Sequence, residues 1–130
     1  MNRNYMVRNM SVSFVCKVDD VARSYIPNIF ILTLSCDKAT IKMDIHREVN
    51  IVDRGDNVEI TISKTLPPYE DGKDFVARGY VITKREHDGA YKLLISLWGF
   101  LVIVETKDKS IVDTFSHMDE IFFKMSKRLP

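Results

Sequence analysis

Two short runs constrain this chain more than anything else in it. Ile41, Met43 and Ile45 alternate with Lys42, Asp44 and His46, and Val58, Ile60 and Ile62 alternate with Glu59, Thr61 and Ser63. A period of two sends successive side chains to opposite faces of a pleated strand, so each run reads as a half-buried antiparallel strand. Asp53-Arg54-Gly55-Asp56 between them reads as a tight polar corner.

Similar signals recur at short intervals. Segments 11–18 and 29–35 are β-rich, and Ile26-Pro27-Asn28 between them breaks regular structure because proline lacks the donor a ladder needs. Further strands are expected over 40–46, 49–52, 57–64, 75–85 and 91–97. Asp88-Gly89 tolerates positive φ and predicts a hairpin. Gly79, inside the first arm of that hairpin, marks a bulge or the close approach of another backbone. Trp98-Gly99-Phe100 interrupts the alternation, and the unbroken apolar run Leu101-Val102-Ile103-Val104 predicts a strand covered on both faces. With little convincing helix between the strands, the fold class is all-β, a single antiparallel barrel.

The bounds agree with one domain. At 130 residues, 45% hydrophobic and 28% charged, the chain has material for a single core, so 1–130 is read as one unit with 1–10 as a flexible or edge segment. The net charge of +1, spread evenly over both halves, argues against a nucleic-acid arm or an acidic tail. The longest apolar runs, 29–34 and 97–104, fall far short of the roughly 20 residues a membrane helix needs. Met1-Asn2-Arg3-Asn4 lacks a signal peptide's apolar stretch, and a cytoplasmic protein is expected.

No constellation for chemistry stands out. There is no glycine-rich phosphate loop, no nucleophile elbow and no acidic cluster suited to magnesium, so neither catalysis nor a cofactor is expected. Asp53 and Asp56 belong to a corner. His46, His87 and His117 sit on a polar strand face or in connections and are read as exposed or locally bonded. Cys16 and Cys36 match no zinc spacing; two small reduced core residues are expected, with a disulfide as the alternative that a hyperthermophilic source would favour. The tail is ambiguous. Phe115, Met118, Phe122, Met125 and Leu129 recur at helical spacing, whereas Ile121, Phe123 and Met125 alternate as in a strand.

Two binding surfaces can be nominated. Trp98-Gly99-Phe100-Leu101 joins large apolar groups to a glycine that allows close backbone approach, which suits a protein partner. Alternatively, Arg78, Tyr80, Lys84, Arg85, Tyr91 and Lys92 mix aromatic and basic groups as a single-strand nucleic-acid groove would, although Glu86 and Asp88 interleave with them.

The order of Lys42-Met43-Asp44, Val49-Asn50-Ile51, Val52-Asp53-Arg54-Gly55-Asp56, the strand containing Gly79, Gly99-Phe100-Leu101 and a terminal apolar strand resembles the small OB-fold subunit of DNA-directed RNA polymerases, the archaeal G-type subunit and its homologue, the eukaryotic eighth subunit. The resemblance runs from Ser11 to Leu129. It implies an OB-fold barrel of about eight strands, a non-catalytic role, docking onto the largest polymerase subunit, and no cofactor or metal. It also implies a last strand over 119–129, preceded by a turn or short helix near 113–118. Trp98-Gly99 stands where eukaryotic members usually carry two glycines, and 66–74 is shorter than the eukaryotic insertion, so the form resembles the archaeal one.

Overall fold

The computed structural model describes residues 10–128. Eight strands follow in order: β1 (Ser11–Arg23), β2 (Ile29–Cys36), β3 (Ala39–His46), β4 (Asn57–Ser63), β5 (Phe75–His87), β6 (Ala90–Leu97), β7 (Phe100–Thr106) and β8 (Glu120–Lys127). A 3-10 turn, Arg47–Val49, follows β3, and a short helix α1, Lys109–Asp113, follows β7. All pairings are antiparallel, and the sheet closes on itself in the order β1-β2-β3-β7-β6-β5-β8-β4. Closure leaves no free sheet edge among the described residues for another strand to join.

Alternation decides what fills the barrel. Phe14, Leu32, Met43, Ile60, Leu93 and Phe123 point inward and are almost wholly buried, while their neighbours Val15, Lys42 and Glu59 face outward. The expected all-β barrel is therefore observed, and Glu120–Lys127 is a strand, as the resemblance implied, with Leu129 outside the described residues. Most of the expected N-terminal segment 1–10 also lies outside them.

The barrel is built as two like halves. In each, a 13-residue strand carries a bulge, at Asp19 in β1 and at Ile82 in β5, and changes neighbours along its length. The start of β1 pairs with β4 and its end with β2; the start of β5 pairs with β8 and its end with β6. The halves meet where β3 pairs with β7 through Lys42 and Ile103, and where β4 pairs with β8 through Thr61 and Lys124. Lys42 and Ile103 hold equivalent places in their halves, as do Thr61 and Lys124, so a pseudo-two-fold axis passes through both pairs. No sequence repeat announces it, because only inward positions and turns must agree.

Several expectations are corrected. Residues 49–52 form no strand: Arg47–Val49 is a 3-10 turn, and Asn50 then closes on Val52 with two hydrogen bonds of 2.9 and 3.2 Å, which holds the backbone out of any ladder. The turn expected near 113–118 is present, closed between Ser116 and Asp119, and a short helix not foreseen there, Lys109–Asp113, capped by Asp108, precedes it. In the run Leu101–Val104 only Val102 and Val104 are fully buried; Leu101 and Ile103 are half-buried on the outer face, so the barrel itself covers one side of the strand and leaves the other outward. Cys16 and Cys36 are not free thiols but a disulfide across directly opposed positions of β1 and β2.

Candidate docking surface

The β6–β7 hairpin turns on just Trp98 and Gly99, with φ of 57° and 96°. Both values are positive, as in the two-residue turns whose twist matches flanking strands. Asp88-Gly89 turns the β5–β6 hairpin the same way, with φ of 51° and 78°. Aspartate is at ease there and tryptophan is not, because a bulky side chain in the left-handed region crowds its own carbonyl. Trp98 is nevertheless held there and is 74% exposed. Gly99 donates its N–H to Ser96 Oγ at 2.9 Å, and a Cβ on Gly99 would meet nothing within 4 Å. Its glycine serves the turn and not, as the sequence suggested, a close approach. That approach occurs at Gly79, where a Cβ would fall 2.1 Å from the Ser96 carbonyl oxygen.

Beneath Trp98 lies an apolar hollow of about 170 Å³ bordered by Ile45, Val49, Phe75, Ala77, Leu97 and Phe100. Its lining is almost entirely carbon, and it is smaller than the roughly 300 Å³ at which small-molecule sites begin. Asp44 and His46 stand at its rim. Of the nominated segment, Trp98 and Phe100 line the hollow, whereas Leu101 faces outward beside Ser96. Val49, Phe75 and Ala77 escaped sequence reasoning because barrel closure alone brings the ends of β3 and β5 to the β6–β7 turn.

The outer wall differs between the halves. Tyr80, Ile82, Leu94, Leu101 and Ile103 form an apolar strip across β5, β6 and β7; Leu94 pairs with Ile103, and Ser96 links Tyr80 to Leu101. The register-equivalent positions in the first half are Lys17, Asp19, Thr33, Thr40 and Lys42. Identical strand geometry thus folds with a polar wall, and the strip is not a requirement of the barrel.

The basic and aromatic residues nominated for a nucleic-acid groove do not form one surface. Arg78, Tyr80, Arg85 and Lys92 face outward, while Lys84 and Tyr91 share the side of buried Leu93 and Leu97. Lys84 Nζ donates to the Val112 carbonyl at 3.3 Å, and Tyr91 packs against the core. Arg78 pairs with Glu120 at 3.9 Å, and the apolar strip separates Arg78 from Arg85 and Lys92. Among the described residues no group of His, Cys, Asp or Glu could hold a metal, and no helix is long and apolar enough to cross a membrane.

Aspartates hold the connections that shape the barrel ends. Asp56 accepts from the Asp53 N–H at 2.8 Å and faces Lys127 Nζ at 3.3 Å; that backbone bond, then the lysine, pulls its pKa below the ordinary carboxylate value. The Glu70 N–H does the same for Asp74 and the Ser110 side chain and N–H for Asp108. A carboxyl whose folded pKa lies below its unfolded value adds stability above the unfolded pKa and loses it as pH falls through the folded one. The melting temperature is therefore expected to hold down to about pH 5 and to fall below about pH 4. Asp56→Asn should flatten that acid limb in thermal melts, and an unchanged limb in Asp56→Asn, Asp74→Asn and Asp108→Asn alike would count against this assignment.

The family model RpbG, which describes a subunit of DNA-directed RNA polymerase, matches residues 11–128. The RNA polymerase subunit Rpo8 of Sulfolobus acidocaldarius is 30% identical over 116 residues, covering 87% of this chain and 95% of that protein. Rpo8 of Saccharolobus solfataricus is 28% identical over 119 residues, covering 86% and 89%. Among solved structures, the cytoplasmic molybdate-binding protein ModG overlays with a TM-score of 0.35 at 10% identity over 89% of both chains, too slight a likeness to carry an argument. A match over nearly the whole barrel, from the first residue of β1 to just past the end of β8, means that this chain belongs to the RpbG family of DNA-directed RNA polymerase subunits.

Proposed function

We propose that the protein docks on the largest subunit of a cytoplasmic RNA polymerase, through the Trp98 end of its second half, and supports assembly or stability of the transcribing enzyme. The observation that carries this reading is Trp98 itself: an exposed tryptophan held in a left-handed turn over an apolar hollow. Strain kept at a surface position points to use, and tryptophan is the residue most enriched among interface anchors. The apolar strip through Leu101 continues the surface along the outer wall.

Trp98→Asn tests it because fold and function should respond with opposite signs. Asparagine tolerates the left-handed region, so the isolated barrel should gain about 1 kcal/mol. Loss of an anchor costs about 2 kcal/mol or more, or roughly 30-fold in affinity. Pull-down of the recombinant largest subunit by wild-type protein should survive nuclease and high salt, which would strip contacts made through phosphates, and should weaken at least tenfold for Trp98→Asn. Undiminished capture by Trp98→Asn would sink the docking reading. Tight oligonucleotide binding by the isolated protein, lost in Tyr80→Ala, would move the function to nucleic acid.

A further inference from the structure

Residues 24–28 join β1 to β2, where the register-equivalent hairpin of the second half turns on Asp88 and Gly89 alone. The longer loop is firmly built. The Ser24 N–H donates to the Ile29 carbonyl at 2.9 Å and the Ile26 N–H to Ser24 Oγ at 3.2 Å. The Arg47 N–H donates to the Asn28 carbonyl at 2.7 Å, which ties the loop to the 3-10 turn after β3. Yet Tyr25 and Ile26 at its tip stay in water, Tyr25 wholly exposed. A fixed loop that presents two large apolar side chains to solvent adds nothing to the core through them and points to a contact.

Behind that tip a pocket of about 280 Å³ opens between Arg23 and Arg47, with Pro27 and Phe30 among its walls and no carboxylate in its lining. Arg23 has no acidic partner among the described residues, and Arg47 reaches only its exposed neighbour Glu48, at 3.8 Å. Like charges facing one cavity repel, so the barrel gains nothing by gathering them there. Nor does the strand geometry demand it, because Glu86 holds the register-equivalent place of Arg23 in the second half. The pocket adjoins the hollow under Trp98: Arg47 lines the one, while His46 and Val49, on either side of it in the chain, line the other.

Resting on the docking reading above, we infer that this pocket is the charged part of the same interface: it takes an aspartate or glutamate of the partner subunit between Arg23 and Arg47, with an apolar side chain of the same segment against Tyr25 and Ile26. A guanidinium fork grips a carboxylate through two parallel hydrogen bonds, a match that a lysine cannot make. A nucleic-acid backbone is the poorer occupant. Affinity for it comes from several cations in line with successive phosphates, whereas Arg54 is already engaged by Asp20, and Asp44 and Glu48 flank Arg47 in the chain. One carboxylate needs only the two arginines.

The test is a double variant, Arg23→Gln with Arg47→Gln. Both side chains are exposed, so it should melt within about 3 °C of wild type. In the pull-down used for Trp98→Asn it should capture the recombinant largest subunit at least tenfold less than wild type does. A water-soluble carbodiimide, which joins an amine only to a carboxylate already touching it, should link the new amine of Arg47→Lys to an aspartate or glutamate of the largest subunit, located by mass spectrometry. Full capture by the double variant while Trp98→Asn still fails would leave docking intact and overturn the carboxylate site; full capture by both would overturn docking itself. Absence of any link from position 47 to the largest subunit would also overturn the site. So would tight binding of a fluorescent oligothymidylate, read by anisotropy and lost in the double variant, which would assign the pocket to phosphate.

Discussion

Gly79→Ala is expected to lower the stability of the isolated protein by about 3 kcal/mol, the upper end for forcing extra atoms into a packed interior, and Gly79→Val to leave little folded protein. The added Cβ would lie 2.1 Å from the Ser96 carbonyl oxygen and 2.9 Å from Leu97 Cδ2. Leu97 could turn aside, but the carbonyl belongs to the backbone of β6 and cannot. Gly79 lies where β5 passes from β8 to β6, one residue before Tyr80 pairs with both Glu120 and Ser96. Parting β5 from β6 there would open the barrel. The melting temperature should fall by about 10 °C or more for a domain of this size. Gly99→Ala is the control: it has open space and positive φ, so it should cost only the about 1 kcal/mol of a left-handed alanine. A Gly79→Ala protein melting within about 3 °C of wild type would refute the close-approach argument.

Removing the Cys16–Cys36 disulfide is expected to cost about 3 kcal/mol, from the loop-closure entropy it withholds from the unfolded chain across a separation of 20 residues. Cys16 is 3% exposed, so alanine is the cleaner replacement; a serine hydroxyl there would need a partner in the core. The double variant Cys16→Ala with Cys36→Ala should melt about 10 °C lower than oxidised wild type. It should also be indifferent to reductant, while wild type loses its advantage when reduced. Equal melting of oxidised and reduced wild type would show that the bridge adds nothing. The bond sits where β1 leaves β4 for β2, the register-equivalent of Gly79 in β5. One half thus holds its dividing strand with a covalent link and the other with a missing side chain.

Alternation of the Ile41–Ile45 and Val58–Ile62 kind was enough to place most strands, because a period of two is a property of neighbouring residues and survives in any sheet. The Asp88-Gly89 turn was legible for the same reason: positive φ is a local demand. Local pattern failed where packing overruled it. Ile121, Phe123 and Met125 fit helix or strand equally, and only resemblance to the polymerase subunits chose the strand that is observed. Residues 49–52 look β-like, yet the Asn50 side chain satisfies their backbone.

The amino-acid sequence by itself determined that this chain makes an all-β core, where most strands run, and, through its ordered motifs, the family it belongs to. It also marked Trp98 to Leu101 as worth attention, since an apolar run broken by glycine is visible without a partner. Only the tertiary structure decided who meets whom. Cys16 and Cys36 became opposed neighbours, Val49 and Phe75 came to share a hollow with Trp98, and the two halves proved to be copies in register with different outer walls and different connections after β3 and β7. Each of these depends on which strands pair and with what offset, and a shift of one residue would turn every side chain to the opposite face. That choice is set by closure of the whole barrel around one core, a non-local condition that no window of sequence contains.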